Sequence, residues 1–457
     1  MRRVWLFLMP MALWAQTAEF SEILAKVMAN NKGLQAQALE VGKAEAQAKE
    51  AGAYNLGRLY LSEQAVKTNH PMHAFGIKLA AKEANYGDLG MGEFMASMMG
   101  GPAVTLQTRP DELNNPDAVT GYDTALTYEI PLFTGFKLAR AKEAAKLQAG
   151  VKAAEFSHNE KALAKEALLA YNGAVAAGYF IEAVAKGKEA TSEYVQMAQD
   201  LKGAGMVTDT DVLQAQQRHL EMTAMLIEAQ NNRAMALAYL RFLSGDADLS
   251  GVGEFENLPL PDRPLQAWQQ NALESRDDLR AMQGNRDTAK AAVGMQRAAY
   301  YPTIGAFAKT GVADTTLSID GDKDYYMVGL GVTWDLFDGG VRGSKLDKAK
   351  LEWEQARLGS AYMQEGVRLE VERAFLDLKA KAAVIDQKAK AQTLAEEVLE
   401  KSRIMYQNGL ITMIELLIKE ADALKARAEH IKARFDKAQA AAEFYQAVGK
   451  KIHEETL

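Results

Sequence analysis

The sequence predicts a mainly helical fold with a small β component, built by internal duplication. Three observations carry this expectation. The chain matches itself at an offset of 204 residues over a gapless 124-residue span, and such repeats fix architecture before any motif does. Residues 137–202 and 341–406 each run 66 residues without proline in Ala-, Glu-, Lys-, Gln- and Leu-rich sequence, a composition that favours helix. Segments of 11 to 13 residues just before these stretches alternate large apolar with small or polar residues, the period of a strand. The 457 residues hold 10 prolines, no cysteine and 25% charged residues, with a net charge of -7. Zero cysteines exclude a disulfide framework, thiolate metal sites, thiol catalysis and a lipid anchor on an N-terminal Cys. The acidic balance argues against a nucleic-acid partner. After residue 15 no 18-residue apolar run is read, so no transmembrane helix is expected in the mature chain.

Arg2 and Arg3 precede an apolar stretch from Val4 to Trp14, and Ala15 offers a small residue for cleavage, with Leu13 at position -3. This is the three-part pattern of a secretory signal, expected over residues 1–15. Its removal takes away two arginines and no acid, so the net charge of -7 becomes -9.

Within the repeat, Tyr122 meets Tyr326, Leu132-Phe133 meets Leu336-Phe337, and Gly135 meets Gly339. Ala170-Tyr171 meets Ala374-Phe375, then Gly205, Thr208 and Leu213 meet Gly409, Thr412 and Leu417, and Gly245 meets Gly449. Ala53-Tyr54 matches Ala299-Tyr300 at offset 246, which leaves about 42 extra residues between Leu61 and Tyr122 in the first copy. The first repeat is expected over 16–257 and the second over 265–449, with a Pro-rich linker at 258–264 and a tail at 450–457. Strands are expected at about 56–66, 121–133, 302–313 and 325–337. In the last, Tyr326, Val328, Leu330, Val332, Trp334 and Leu336 alternate with Tyr325, Met327, Gly329, Gly331, Thr333 and Asp335. That length suits a tilted transmembrane strand, although a half-buried globular sheet gives the same alternation.

Helices are expected at 20–53, 137–202, 207–244, 265–299, 341–406 and 411–448. At ~1.5 Å per residue a 66-residue helix is ~100 Å long. The return helices have 38 residues and the helices before the strands about 34. This arithmetic predicts two shorter helices stacked end to end beside each long one, a helical barrel or bundle capped by strands. Four strands cannot close a barrel alone, and lipid forbids open edges. Membrane-spanning strands would therefore require several chains in one barrel.

Together these features resemble the TolC family of outer-membrane efflux and secretion channels. The resemblance rests on Pro131-Leu132-Phe133-Thr134-Gly135, Asp335-Leu336-Phe337-Asp338-Gly339, Tyr300-Tyr301-Pro302 and Leu273-Glu274-Ser275-Arg276-Asp277-Asp278-Leu279. Most characteristic are the turns Gly205-Met206-Val207-Thr208 and Gly409-Leu410-Ile411-Thr412. It implies a homotrimer in the outer membrane, sharing a 12-stranded β-barrel in the lipid and a long periplasmic α-helical tunnel. It also implies docking onto a periplasmic adaptor (membrane fusion) protein and an inner-membrane RND or ABC transporter. Without the lipidated Cys of some members, the chain would be held by its barrel alone. The expected function is a passive exit duct of a tripartite efflux pump, with a type I protein secretion duct as the alternative. A periplasmic coiled-coil scaffold without a pore is the rival from another class.

The resemblance places a periplasmic entrance constriction at Asp211, Ile411, Glu415 and Ile418. Family members carry an acidic ring six and nine residues after the second turn glycine; here those positions are Glu415 and Ile418. An Arg that supplies a latch elsewhere is replaced by Ile411, so an apolar seal at Ile411 and Ile418 is expected instead. The competing reading is local: Thr208 with Asp211 and Thr412 with Glu415 fit the capping-box pattern. The turn residues Gly205, Met206, Val207, Thr208, Gly409, Leu410, Ile411 and Thr412 are expected to form the adaptor-docking tips, while the apolar ones would equally pack between neighbouring helices.

The 67–120 insertion holds His70, Met72, His73, Met91, Met95, Met98 and Met99. Met and His suit Cu(I), but the spacing fits no defined site, and an amphipathic loop over the barrel mouth is the simpler expectation. His158, His219, His430 and His453 are expected on solvated surface. No HExxH, G-x-S-x-G or G-x-x-x-x-G-K motif is present, so no enzyme, cofactor or metal site is expected.

Overall fold

A computed structural model describes residues 18–318 and 321–452. The expected signal, His453 and the end of the expected tail lie outside the described residues. In chain order the elements are α1 (Phe20–Asn30), α2 (Lys32–Ala53), β1 (Arg58–Thr68), α3 (Pro71–Ala80), α4 (Met91–Met98), α5 (Asp111–Asn114), β2 (Val119–Thr134), α6 (Lys137–Gly203) and α7 (Asp209–Ser244). The second half continues with α8 (Leu265–Ser275), α9 (Asp277–Arg297), β3 (Thr303–Asp314), β4 (Asp324–Thr333), α10 (Val341–Gln407) and α11 (Met413–Ala447). The chain divides into a helical unit (residues 18–43, 150–284 and 357–452) and a sheet unit (44–149 and 285–356).

The sheet unit carries four strands in the order β1-β2-β3-β4, every neighbour antiparallel. The register puts Tyr60, Gln64, Asp123, Thr127, Glu129, Lys309 and Tyr325 on one face. On that face Lys309 binds Asp123 at 2.7 Å and Tyr325 donates to Asp123 at 2.5 Å. The other face carries Leu59, Leu61, Leu126, Tyr128, Tyr326, Val328, Leu330 and Val332, all exposed. Pro131, which has no N–H to give a central strand, sits at the register shift between Pro131 and Phe133, where a bulge removes the need for one.

The strand expected over 325–337 stops at Thr333. Its last partner is Thr303, the first residue of β3, and Pro302 before it has no N–H to extend the ladder. The carbonyls beyond are satisfied otherwise: the Arg342 guanidinium donates to Asp335 O at 2.5 Å and Leu336 O at 3.1 Å. β1 starts at Arg58 rather than near 56, because a 3₁₀ turn over Tyr54–Leu56 and Gly57 precede it.

In the helical unit the largest core gathers α1, the middle of α6, the end of α7, the 249–258 linker, α8, α10 and the end of α11. Phe20, Leu168, Tyr171, Leu240, Leu279, Leu378 and Phe444 are fully buried there. Asn172 fixes the linker by accepting from Glu256 N–H at 2.9 Å and donating to Glu256 O at 3.0 Å. One window of α6 is apolar enough by composition to cross a membrane, contrary to the reading that no such run exists. Its Ala167, Leu168, Tyr171, Ala174 and Val175 belong to this core, which accounts for the composition.

The helices expected unbroken over 20–53 and 265–299 are each interrupted, at Asn31 and Arg276, both with extended ψ. The interruptions are where helices meet end to end. The Asn31 amide donates to Leu243 O at the end of α7 (3.3 Å), and its oxygen accepts from Leu34 N–H at the start of α2 (3.0 Å). The Arg276 guanidinium donates to Ala447 O at the end of α11 (3.0 Å) and grips Asp278 at the start of α9 (2.6 and 3.0 Å). Each side chain thus serves carbonyls of one helix end and the amide or dipole of the next, the groups a helix leaves unpaired. End-to-end joining is present, but it begins after the break, so the first 11 residues of each expected 34-residue helix pack separately as α1 and α8.

The repeated turn glycines are not equivalent. Gly135 has φ 62°, and a Cβ there would lie 2.4 Å from Ala298 O; Gly339 has φ 67° with open space around it. Gly339→Ala is expected to cost about 1–2 kcal/mol from backbone strain alone. Gly135→Ala adds a backbone clash and should lower the urea midpoint distinctly further; equal midpoints for the two variants would contradict this packing.

Candidate functional site at the hairpin turns

The two helical hairpins, α6–α7 and α10–α11, end in matching turns. α6 closes at Gly205 (φ 72°), where Met206 N–H donates to Leu201 O at 2.9 Å. α10 closes at Gly409 (φ 70°), where Leu410 N–H donates to Met405 O at 2.9 Å. A left-handed residue followed by such a bond satisfies the last carbonyls of a helix, and glycine adopts it without strain. The return helices then start on caps. The Asp211 carboxylate accepts from the Thr208 N–H (3.1 Å) and hydroxyl (2.9 Å). Glu415 does the same for Thr412 at 2.7 and 2.8 Å, and its own N–H donates back to the Thr412 hydroxyl at 3.4 Å. These bonds, first from the Thr412 backbone and then from its side chain, hold the Glu415 carboxyl below the usual range. The local, capping role of both acids is therefore built into the fold.

The expected site residues separate by exposure. Met206, Leu410 and Ile418 are 57%, 69% and 49% exposed, and Gly205, Thr208, Gly409, Thr412 and Glu415 are exposed as well. Val207, Ile411 and Asp211 are half-buried. Val207 and Ile411 pack against a core of Tyr194, Ala198, Val212, Ala215, Tyr406, Met413, Leu416 and Leu417. That core joins the ends of both hairpins, so packing between helices holds for these two residues. Burial pushes the Tyr406 hydroxyl up to about 12.

One buried ion pair escaped the sequence reading. Glu420 on α11 is 2% exposed, and the Arg218 guanidinium of α7 reaches it with Nε and Nη2, both at 2.8 Å. This ion pair ties one hairpin to the other. The repeat gives no hint of it, because the offset of 204 matches Arg218 with Asp422 and Glu420 with Gln216. Burial opposes the charge of Arg218, yet the hydrogen bond and field of Glu420 raise its pKa overall. Nearby, Arg403 meets Glu193 at 3.3 Å across α10 and α6.

Three expected surface histidines, His158, His219 and His430, are half-buried instead. His219 faces the Thr191 hydroxyl at 3.3 Å, and the His430 ring lies 2.7 Å from the Gln392 side-chain oxygen. Burial, and then Arg434, lower the His430 pKa. Paired helices bury one side of every surface they share, which a single helix pattern does not reveal. Among the described residues no group of three or more His, Cys, Asp or Glu is placed to hold a metal. The His70 and His73 rings lie 5.0 Å apart, while Met72, Met98 and Met99 are strongly exposed.

A sheet with one exposed face dominated by large apolar side chains, joined in sequence to paired helical hairpins, defines the class of outer-membrane channel proteins. The model of the outer membrane efflux protein family matches residues 23–246 and 268–450, and the chain belongs to that family. It is 26% identical over 340 residues to the alkaline protease secretion protein AprF of Pseudomonas aeruginosa, covering 73% of this chain and 70% of AprF. It is 26% identical over 340 residues to the outer membrane efflux protein BepC of Brucella suis, covering 72% and 74%. Among solved structures it is similar to the Campylobacter jejuni CmeC outer membrane channel, with a TM-score of 0.78 at 15% identity over 94% of this chain and 85% of that one. The outer membrane protein VceC of Vibrio cholerae gives a TM-score of 0.76 at 18% identity over 94% and 96%. The protein is thus a TolC-family channel of the outer membrane with a periplasmic helical tunnel, and members of its family are channels rather than enzymes.

Removing one member of a buried ion pair strands the other, at about 3–5 kcal/mol. Glu420→Ala is therefore expected to speed hydrogen exchange at the hairpin ends strongly. Thr412→Ala, which removes an exposed cap, should cost only about 1 kcal/mol. Equal protection in the two variants would remove Arg218–Glu420 as the tie between hairpins.

Proposed function

We propose that the chain works as a homotrimeric, passive exit duct, with no chemistry of its own, taking substrates from a periplasmic adaptor and an inner-membrane transporter to the exterior. The observation that carries this reading is the sheet: its apolar face is exposed and both edge strands, β1 and β4, have one unpaired side among the described residues. In lipid such edges must be paired, and three copies of four strands supply a 12-stranded barrel whose polar face lines the bore. The helices support the same assembly. Leu213, Leu220 and Ile227 on α7 are 63%, 68% and 63% exposed at seven-residue spacing, the seam of a helix awaiting a partner. Fractionation tests this: heat-modifiable oligomers in the outer membrane are expected, and a soluble monomer would defeat the reading.

In this assembly Glu415 and Ile418 from each copy converge on the periplasmic entrance, with Asp211 and Ile411 behind them. Glu415 is exposed and held ionised by its Thr412 bonds, so three copies form an anionic ring that favours cations. Glu415→Ala should lower cation preference in planar-bilayer recordings; unchanged selectivity would sink that role. Of the turn residues, the exposed Met206 and Leu410 are the docking contacts for the adaptor, and Val207 and Ile411 support them from the tip core. Leu410→Asp should abolish adaptor binding without loss of folding, and retained binding would reject the patch.

A second reading is favoured by particular relatives. AprF is named for alkaline protease secretion, and PrtF of Dickeya chrysanthemi, 24% identical over 251 residues, for secretion of proteases. A type I secretion duct would use the same fold with an ABC transporter as its pump.

A further inference from the structure

The 67–120 insertion does more than bridge β1 and β2. Its first helix, α3, packs on β2 and β3, and the side it covers can be read from the register. Ile77 lies so near Gly121 that a Cβ there would be 2.7 Å from its Cγ2. Gly121 shares a face with Asp123, Ala125 and Thr127, the polar face of the sheet. A cavity of about 430 Å³ between helix and sheet is lined by His73, Ile77, Gln64, Gly121, Asp123 and Tyr325, among others. Gln64, Gly121, Asp123 and Tyr325 all belong to that face. The helix therefore lies on the side opposite the apolar surface that faces lipid.

Charged contacts hold it there. Beyond α3, Glu83 meets Lys323 at 2.5 Å and accepts from the Thr315 hydroxyl at 2.8 Å. Lys323 also meets Asp314 at 2.7 Å. Lys82 donates to Asp322 O at 2.6 Å and meets Asp324 at 3.4 Å. Lys78 meets Asp88 at 2.5 Å and closes the segment on itself. The partners Thr315, Asp322, Lys323 and Asp324 lie in the β3–β4 connection and at the first residue of β4, so the β1–β2 insertion is fastened to the β3–β4 connection.

We propose that this insertion is a size-selecting strap across the outer end of the bore, seated on the conducting face and pinned by Glu83–Lys323 and Lys82–Asp324. The inference rests on the duct reading, since it takes the polar face as the bore. Large solutes pass only when the strap lifts. Lys82–Asp324 is exposed on both sides and contributes little, so the half-buried Glu83–Lys323 pair is the main fastening, and α3 returns to its seat at Gly121 when it re-forms.

The chain has no cysteine, so one introduced thiol reports access. Gly331 lies on the polar face opposite Gly305, and a Cβ there meets nothing within 4 Å. It sits six residues along β4 from Tyr325, about 20 Å beyond the strap. The test labels full-length Gly331→Cys in intact cells with a small maleimide and with a polyethylene-glycol maleimide, both membrane-impermeant. The same is done after replacing residues 69–118 by a short Gly-Ser linker and, separately, in Glu83→Lys. Should the replacement fail to assemble, Glu83→Lys alone decides. Unfastening the strap is expected to speed the bulky reagent by about tenfold while the small reagent changes little. Equal bulky-reagent rates with the strap intact and unfastened would overturn the strap. Absence of labelling by the small reagent in every variant would instead overturn the open bore, and the duct reading with it.

Discussion

A backbone group in hydrocarbon has no water to fall back on, and that constraint shapes this molecule more than any single contact. Strands β2 and β3 meet it internally, paired on both sides through ladders broken only at Pro131. Strands β1 and β4 meet it on one side each. The face carrying Tyr326, Val328 and Leu330 is suited to lipid, yet lipid is the one solvent in which the two edges cannot stay open. On the proposed duct reading, assembly is what closes them. The exposed heptad Leu213, Leu220 and Ile227 is the same condition expressed in helices.

The same demand recurs at helix ends. Where α7 meets α2, a neutral amide, Asn31, serves both termini. Where α11 meets α9, the task falls to Arg276, which reaches Asp278, Glu370 at 2.7 Å and Ala447 O together. Beside it the buried Asp277 takes Lys161 at 2.7 Å, Arg280 at 3.0 Å and the Ser157 hydroxyl at 2.9 Å. One half joins its helices chiefly with neutral amides, Asn31 and also Asn30, which donates to Ser244 O at 3.1 Å, and the other with a buried charge network. A buried network of this sort costs desolvation and returns it only when each charge is partnered. The duplication therefore conserves the joint and not its chemistry, which is why comparing the two copies reveals the architecture but hides these residues.

The hairpin ends show how far a local pattern reaches. Thr208 with Asp211 and Thr412 with Glu415 were legible because a capping box lies within four residues of one chain. The division of the apolar turn residues was not legible. Met206 and Val207 are neighbours of equal promise in sequence, yet one is exposed and the other packs against the tip core. One hairpin alone does not decide that, because both hairpins contribute residues to that core. His219 and His430 were misplaced on solvated surface for a related reason: the other helix of their own hairpin, through Thr191 and Gln392, lies against each ring.

By itself the sequence determined what depends on neighbours along the chain. The repeat offset, the proline-free helices, the glycine turns, the caps and the strand alternation all follow from spacing and composition. Tertiary structure alone decided where separate segments meet. It broke the two stacked helices at Asn31 and Arg276, ended β4 at Thr333 where Pro302 has no N–H to offer, and brought Arg218 to Glu420. It also laid α3 of the insertion on the polar face. A hydrogen-bond partner hundreds of residues away leaves no periodic trace in the chain, so these features have a physical cause only once the segments are packed together.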